Sequence, residues 1–355
     1  MKKFLALLLA LTMALALVAC GGGSDSGDTG AGTTGGDSES GFEPMTWKFA
    51  CSATETSPWV DGAKEFARIV GEKTGGAITV QYYPADQLTA GSQTDGIQAL
   101  MDGTTELSMH SNLIWSSFDQ RFNVVSLPFL FDSTEEADAA LDGAGGQALG
   151  EILENEYNVH LLGIAENGFR HITNSKHAVT SLADMENLKI RVAGSQLLNR
   201  AYELWGADYT NANWSEVFTA LQTGTYDGQE NPLPTADAAS IQEVQSYLTY
   251  WTGAYDCLFF CMNAELYNSL SPELQAIVDE AGQEACVYER ELNRSQDQEI
   301  MDKWAEAGVE VTELSADAAA EFAEASAPVY DEFADELTPE LIEAFTSVTQ
   351  ADNAA

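Results

Sequence analysis

Along this chain the spacing of apolar positions switches from strand-like to helical and back within the first folded residues. The segment "TWKFACS" (46–52) reads as a strand. Ser57-Pro58 then supplies a helix N-cap and a proline at the first helical position. Trp59, Ala63, Phe66, Ala67 and Val70 follow at helical spacing. Gly75-Gly76 stops that helix, and "AITVQYYP" (77–84) alternates as a second strand. A strand, a helix and a strand in that order predict a parallel pair joined by a right-handed crossover.

The next stretch has an internal echo. Ala99-Leu100-Met101-Asp102-Gly103-Thr104-Thr105-Glu106 and Ala220-Leu221-Gln222-Thr223-Gly224-Thr225-Tyr226-Asp227 both read A-L-x-x-G-T-x-acid, and 121 residues separate Gly103 from Gly224. In each copy the glycine suits the position after a helix, where a positive φ is needed, and a strand follows. Two copies of one helix-to-strand element, a domain length apart, predict two similarly built lobes.

Between the copies, "VVSLPFLF" (124–131) and "VHLLGIAEN" (159–167) read as buried strands, with helical sequence from Thr134 to Tyr157. "FRHITNS" (169–175) and "LKIRVAG" (188–194) read as strands on either side of the turn "SLADMEN" (181–187), ahead of an amphipathic helix from about Ser195 to Trp205. Ser271-Pro272 opens a pattern with no breaker but Gly282 before Gly308. That predicts a helix of up to about 35 residues, roughly 50 Å long and longer than one lobe. "VEVTEL" (309–314) and two closing helices complete the body.

The N-terminal end is of another kind. "MKKFLALLLALTMALALVAC" has two lysines, an apolar run and then small residues, which is the pattern of an export signal, too short and wrongly flanked for a permanent spanning helix. Leu17, the small residues after it and Cys20 together resemble the bacterial lipobox. That resemblance implies a signal over residues 1–19, a diacylated Cys20 and attachment to the membrane through lipid. Residues 21–41, "GGGSDSGDTGAGTTGGDSESG", have no apolar periodicity and read as a flexible tether, with an r.m.s. reach of roughly 25 Å.

Charge changes the picture more than size does. The chain has 15 Lys+Arg against 56 Asp+Glu, a net charge of −41. Such a surface repels nucleic acid and anionic lipid heads. Against that background five cations, Arg170, Lys176, Lys189, Arg191 and Arg200, fall within one short stretch whose only acids are Asp184 and Glu186. The lysines fit a solvated strand edge, whereas the arginines point to an anion site.

Cys51, Cys257, Cys261 and Cys286 show no regular framework and no histidine at zinc spacing, so small buried hydrophobes fit them best, with a disulfide left open by export. No metal or cofactor is expected. There is no G-x-S-x-G elbow, no H-E-x-x-H and no Gly-rich phosphate loop. His110, His160, His171 and His177 have no nucleophile or metal spacing. With so many acids, a glycosidase-like carboxylate pair is not excluded by counting, yet the reading is of a non-enzyme.

The blocks "GFRHITNSK" (168–176), "LADMENLKIRV" (182–192) and "WSEVFTALQTGTYDGQENP" (214–232), with "SLPFLF" (126–131) and the long C-terminal helix, resemble the solute-binding proteins of TRAP transporters, the tripartite ATP-independent periplasmic carriers, in a dicarboxylate-receptor-like, lipoprotein form. The resemblance covers roughly residues 46–345. It implies an α/β, two-lobed, periplasmic-binding-protein-like fold with crossing strands and a long C-terminal helix spanning both lobes. The lobes are expected as 45–168 with 257–297 and 169–256 with 298–347, after a linker over 20–44.

It also implies an extracytoplasmic, lipid-anchored receptor that closes over an organic acid and hands it to membrane permease subunits driven by an ion gradient. Arg191 would pair with the ligand carboxylate, Arg170 would assist, and Asn231 would bond the ligand or that arginine. Trp214, Ser111 and Gln229 are further ligand candidates.

Each role has a plainer alternative. Arg170 is placed to bridge to Glu166, and Asn231 before Pro232 to be a turn residue. Glu230 and Asp227 read as structural carboxylates, and Ser215 as a helix N-cap. Tyr209, Trp214, Tyr250 and Trp251 divide evenly between cleft and core. "SMHSN" (108–112) and "YWTG" (250–253) depart from the family pattern and leave the solute undefined. A sensor or another type of carrier remains the alternative use of the same fold.

Overall fold

The computed structural model describes residues 41–352, with side chains to residue 348; the leader, Cys20 and most of the linker lie outside the described residues. The chain begins with β1 (Met45–Cys51), α1 (Pro58–Lys73), β2 (Ile78–Tyr83), α2 (Gln93–Met101), β3 (Leu107–Ser111) and the single turn α3 (Asn112–Trp115). Helices α4 (Thr134–Leu141) and α5 (Ala144–Tyr157) lead into the long strand β4 (Val159–Phe169). Then come β5 (His171–Asn174), β6 (Lys189–Val192), α6 (Gln196–Leu204), β7 (Asp208–Asn211), α7 (Trp214–Gln222), β8 (Gly228–Asn231), α8 (Leu233–Ala238) and β9 (Tyr247–Tyr250). The remainder is β10 (Tyr255–Asn263), α9 (Ala264–Ser269), α10 (Pro272–Arg294), α11 (Asp297–Glu306), β11 (Glu310–Glu313), α12 (Ala316–Ser326), α13 (Pro328–Leu337) and α14 (Pro339–Asp352).

These strands form two sheets, ordered β2-β1-β3-β10-β4 and β11-β9-β5-β8-β6-β7. The internal echo is structural. β1 pairs in parallel with β2 and β3, and β6 pairs in parallel with β7 and β8. Gly103 and Gly224 sit at φ +72 and +71, and the next residue's N–H reaches back to Ala99 (2.8 Å) and Ala220 (2.9 Å) in the same helix-ending bond. Even the acids match: Glu106 accepts the Lys48 N–H at 2.7 Å, and Asp227 accepts the Lys189 N–H at 3.1 Å.

Three connections join the sheets. β4 ends at Phe169 and β5 begins at His171, so Arg170 alone separates them; β9 returns to β10 through residues 251–254. The Arg170 N–H donates to the Ala254 carbonyl (2.9 Å) and ties these two crossings together. The third crossing is helical. α10 packs on α1 and β4 beside the first sheet, and α11 packs on α8 and β11 beside the second.

The helix expected to run for about 35 residues is thus two, of 23 and 10 residues, parted at Ser295-Gln296. The Ser295 hydroxyl (2.8 Å) and the Gln296 amide (3.2 Å) both donate to the Leu292 carbonyl, a back-bonding that competes with the helical ladder.

Other expectations are corrected. "VVSLPFLF" forms no strand: residues 120–126 are 3₁₀ turns, Pro128 has no N–H to offer a ladder, and Phe129 is left-handed at φ +56. Its polar groups are met outside any ladder: the Tyr330 hydroxyl donates to the Pro128 carbonyl (3.0 Å), the Phe129 N–H donates to the Gly253 carbonyl (3.0 Å), and the Ser126 hydroxyl accepts from the Asn112 amide (3.0 Å). The helical stretch 134–157 is split at Gly143.

Three helices close the described chain rather than two, because Pro328 and Pro339 each start a new one. α12 packs on α6, whereas α14 packs on α4 and α5. Residues 339–347 therefore lie against helices assigned from sequence to the other lobe.

Candidate functional site

The parallel strands of both sheets point their carboxyl ends at a common cleft, the usual ligand position in open α/β sheets. β3 contributes Ser111, β6 Arg191, and β8 Asn231; the first turns of α1, α2 and α7 contribute Trp59, Gln93 and Trp214. The space between these residues, counted with the open solvent it borders, is about 340 Å³. The two copies of the internal repeat meet here, and Trp214 and Gln93 are counterparts in it. The Trp214 N–H donates to the Gln93 side chain (3.1 Å), and the Ser215 hydroxyl donates to the Gly91 carbonyl (3.2 Å). Ser215 is therefore not the helix cap; Asn213 holds that position.

Arg191 is 2 % exposed and lines the cleft. Its Nε and Nη2 donate to the Ala212 carbonyl at 3.0 and 2.7 Å, and its guanidinium lies 5.6 Å from the Trp214 ring centre. Nη1 has no hydrogen-bond partner among the described residues. Six of the seven arginines, at 68, 121, 170, 200, 290 and 294, are ion-paired, and Arg191 is the exception. Burial pushes it down to about 10, which still leaves it charged at neutral pH.

Arg170 is held differently. Its Nε and Nη2 pair with the Glu230 carboxylate, Nη2 also donates to the Glu230 carbonyl (2.9 Å), and Nη1 pairs with Asp256. The proposed bridge to Glu166 does not form; Glu166 pairs with Arg294 (2.5 Å). Asp256 also accepts from the Asn167 amide (2.7 Å) and the Ser111 hydroxyl (2.7 Å), and Thr235 donates to Asn167 (2.6 Å). Burial raises Asp256 despite the pull of Arg170. Because Glu230 lies on β8 of the second sheet and Asp256 on β10 of the first, Arg170 links both sheets at the crossing.

Asn231 lines the cleft, its amide donating to the Gln229 side chain at 2.9 Å. Gln229 itself does not reach the cleft. It is fully buried, donates to Thr173 (3.0 Å) and serves as a brace for Asn231. Of the four uncertain aromatics only Trp214 lines the cleft. Tyr209 is exposed on β7, Tyr250 stacks on His171 at 4.1 Å, and the Trp251 indole donates to the Arg170 carbonyl (2.8 Å). The "YWTG" residues thus do not line the cleft, although Trp251 braces Arg170, which does. Glu230 is structural, as read, and so is Asp227, which also pairs with Lys176 (3.1 Å).

Asp256, Asn167, Thr235, Gln93, Trp59 and Ser52 line the cleft as well and were not anticipated. Only Asp256 left a trace, as an acid opening an otherwise apolar strand. The four cysteines of the body are free and buried. Among the described residues no helix is long and apolar enough to cross a membrane, and no cluster of His, Cys, Asp or Glu has metal-binding placement.

Burial, with Arg170 adding to it, holds His171 near 3, far below the ordinary histidine range. The unfolded chain therefore binds a proton below about pH 6.5 that the folded chain refuses, so stability is complete above that pH and falls as pH drops toward 3. Urea denaturation should show a loss approaching about 1.4 kcal/mol per pH unit from this residue, and His171→Gln should flatten that part of the profile. An unchanged slope in the variant would remove His171 as its source.

The bacterial extracellular solute-binding protein family 7 model (DctP) matches residues 49–337. The chain is 32% identical over 274 residues to the 2,3-diketo-L-gulonate-binding periplasmic protein YiaO of Escherichia coli K12, covering 77% of this chain and 83% of that one. Among solved structures it is similar to the sugar acid binding protein DctPAm of Advenella mimigardefordensis in complex with galactonate, with TM-score 0.83, 29% identity, and coverage of 87% and 99%. It is likewise similar to a TRAP periplasmic solute binding protein of Sulfurospirillum deleyianum with bound succinate, with TM-score 0.81, 27% identity, and coverage of 86% and 100%. The chain belongs to family 7 of the bacterial extracellular solute-binding proteins, the DctP family of TRAP solute receptors.

Proposed function

We propose that this protein captures a small organic acid by seating its carboxylate on Arg191 and delivers it to a TRAP permease. One observation carries this reading: a buried arginine with no acid partner lines a cleft in a chain whose other arginines are all paired. A dry, unpaired guanidinium is costly, and a carboxylate meeting the open Nη1–Nη2 edge removes that cost with two charge-assisted hydrogen bonds. Trp214 backs the guanidinium, Asn231 offers an amide, Ser111 a hydroxyl, and Arg170 positions the groups around Asp256. The bound solutes named for the relatives, galactonate and succinate, are carboxylates.

The lobes in this reading are residues 45–168 with 257–294 and residues 169–256 with 297–326, with α14 strapping back to the first. They open about the three crossings when the solute leaves. Cys20 carries a lipid, and the following linker tethers the receptor at the outer face of the membrane. In a thermal-shift screen of mono-, di-, keto- and sugar acids, a matching acid at a hundredfold excess over its Kd should stabilise the protein by about 2.7 kcal/mol. Stabilisation by neutral sugars or amines and by none of the acids would overturn the proposal.

A further inference from the structure

The cleft contains two buried polar atoms that the protein leaves unsatisfied. Ser52 and Trp59 are each 4 % exposed and line the same space as Arg191. Neither the Ser52 hydroxyl nor the Trp59 indole N–H has a hydrogen-bond partner. Orphaned indole groups also occur away from the cleft, at Trp47 and Trp115, so orphan status alone decides nothing. Ser52 and Trp59 differ because they share an open volume with an unpaired cation. They follow β1, and β1 occupies in the first sheet the place that β6, which carries Arg191, occupies in the second. The cleft thus has two polar groups set by corresponding strands of the repeat, one charged and one neutral.

Charge narrows the choice of solute further. Arg170 and Arg191 are balanced by Asp256, which lines the cleft, and by Glu230, which pairs with Arg170. One carboxylate on Arg191 adds a single negative charge. A second carboxylate would share the cleft with Asp256, and the lining residues supply no further cation to meet it. A hydroxyl suits Ser52 and Trp59 better, since it can accept from the Trp59 N–H and donate to Ser52, whereas a keto oxygen only accepts.

We propose, building on the carboxylate reading above, that Ser52 and Trp59 form a second subsite that reads a neutral oxygen, so that the preferred solute is a hydroxylated monocarboxylate and not a dicarboxylate.

The test is titration calorimetry on the full-length chain with gluconate and galactonate, hexanoate, 2-oxohexanoate, adipate and succinate. The better of the two hydroxylated acids should bind at least about tenfold tighter than hexanoate or adipate. Trp59→Phe and Ser52→Ala should each weaken it by about tenfold, the loss of one hydrogen bond in a dry site. Ser52→Ala should keep the ligand-free melting temperature, because its hydroxyl bonds nothing there, whereas Trp59→Phe also thins the core around α1 and is read by its affinity against that of hexanoate, which should not change.

Adipate or succinate binding more tightly than both hydroxylated acids, with Arg191 still required, overturns this inference and leaves the carboxylate reading standing. Tighter binding of 2-oxohexanoate overturns the choice of hydroxyl, and unchanged affinity in both variants overturns the subsite. If none of these acids binds in an Arg191-dependent way, the underlying reading fails first.

Discussion

Arg191→Ala should abolish the stabilisation that the cognate acid confers, and Arg191→Lys should lose most of it. The guanidinium presents a planar, permanently charged edge, two of whose donors are already fixed on the Ala212 carbonyl. A lysine ammonium has no fork, cannot hold Ala212 and grip a carboxylate in one plane, and deprotonates more readily when buried. The expected loss is the whole ligand increment, about 2.7 kcal/mol at a hundredfold excess. The ligand-free protein should respond in the opposite sense. Arg191→Met removes a buried cation that has no acid partner, so closure without ligand becomes easier and the empty variant loses little stability. Differential scanning calorimetry with and without ligand reads both effects. An Arg191→Ala variant that keeps its normal ligand shift removes Arg191 from the site.

The second large effect belongs to Arg170. Arg170→Met leaves Glu230 and Asp256, both at most 1 % exposed, without their cation. Removing one partner of a buried ionic cluster typically costs about 3–5 kcal/mol, and two carboxylates are stranded here. Asp256→Asn should cost less, since it removes one charge from the cluster and leaves the Arg170–Glu230 pair intact, with an amide able to accept from Arg170. Equilibrium unfolding in urea gives both values. If Arg170→Met costs under about 1 kcal/mol, the cluster does not hold the crossing together.

Much of this architecture was legible because each element carried its own boundary markers. Ser57-Pro58, Gly75-Gly76 and the glycines at 103 and 224 place starts and stops directly, and periodicity fills in between. The acids at 106 and 227 turned an eight-residue match into matching strand pairs. Failures came where the pattern encodes burial without conformation. Residues 124–131 are apolar because they are enclosed, and their backbone is met by groups distant in sequence, the Tyr330 hydroxyl and the Gly253 carbonyl. The break at Ser295-Gln296 depends on side chains bonding a helix carbonyl, which neither residue's propensity announces.

Within the site, Arg191 stood out through scarcity, since an arginine in so acidic a chain asks for a reason. Ser52, Trp59 and Gln93 gave no such signal. They are neutral, and only folding brings the ends of β1, α1 and α2 beside β6 and α7. Gln229 was over-read: the two-residue repeat of a strand puts it on the same face as Asn231, but one step behind it.

The free thiols have a practical consequence. Cys51, Cys257, Cys261 and Cys286 are enclosed, and burial raises all four, so they stay protonated and out of reach of oxidants or maleimides. The folded body should therefore take up no maleimide, as mass spectrometry would show. Ser117 and Gly194, whose hydroxyl and carbonyl meet at 3.3 Å, are thus open to single engineered cysteines carrying a fluorophore, and the native sulfurs need not be removed first.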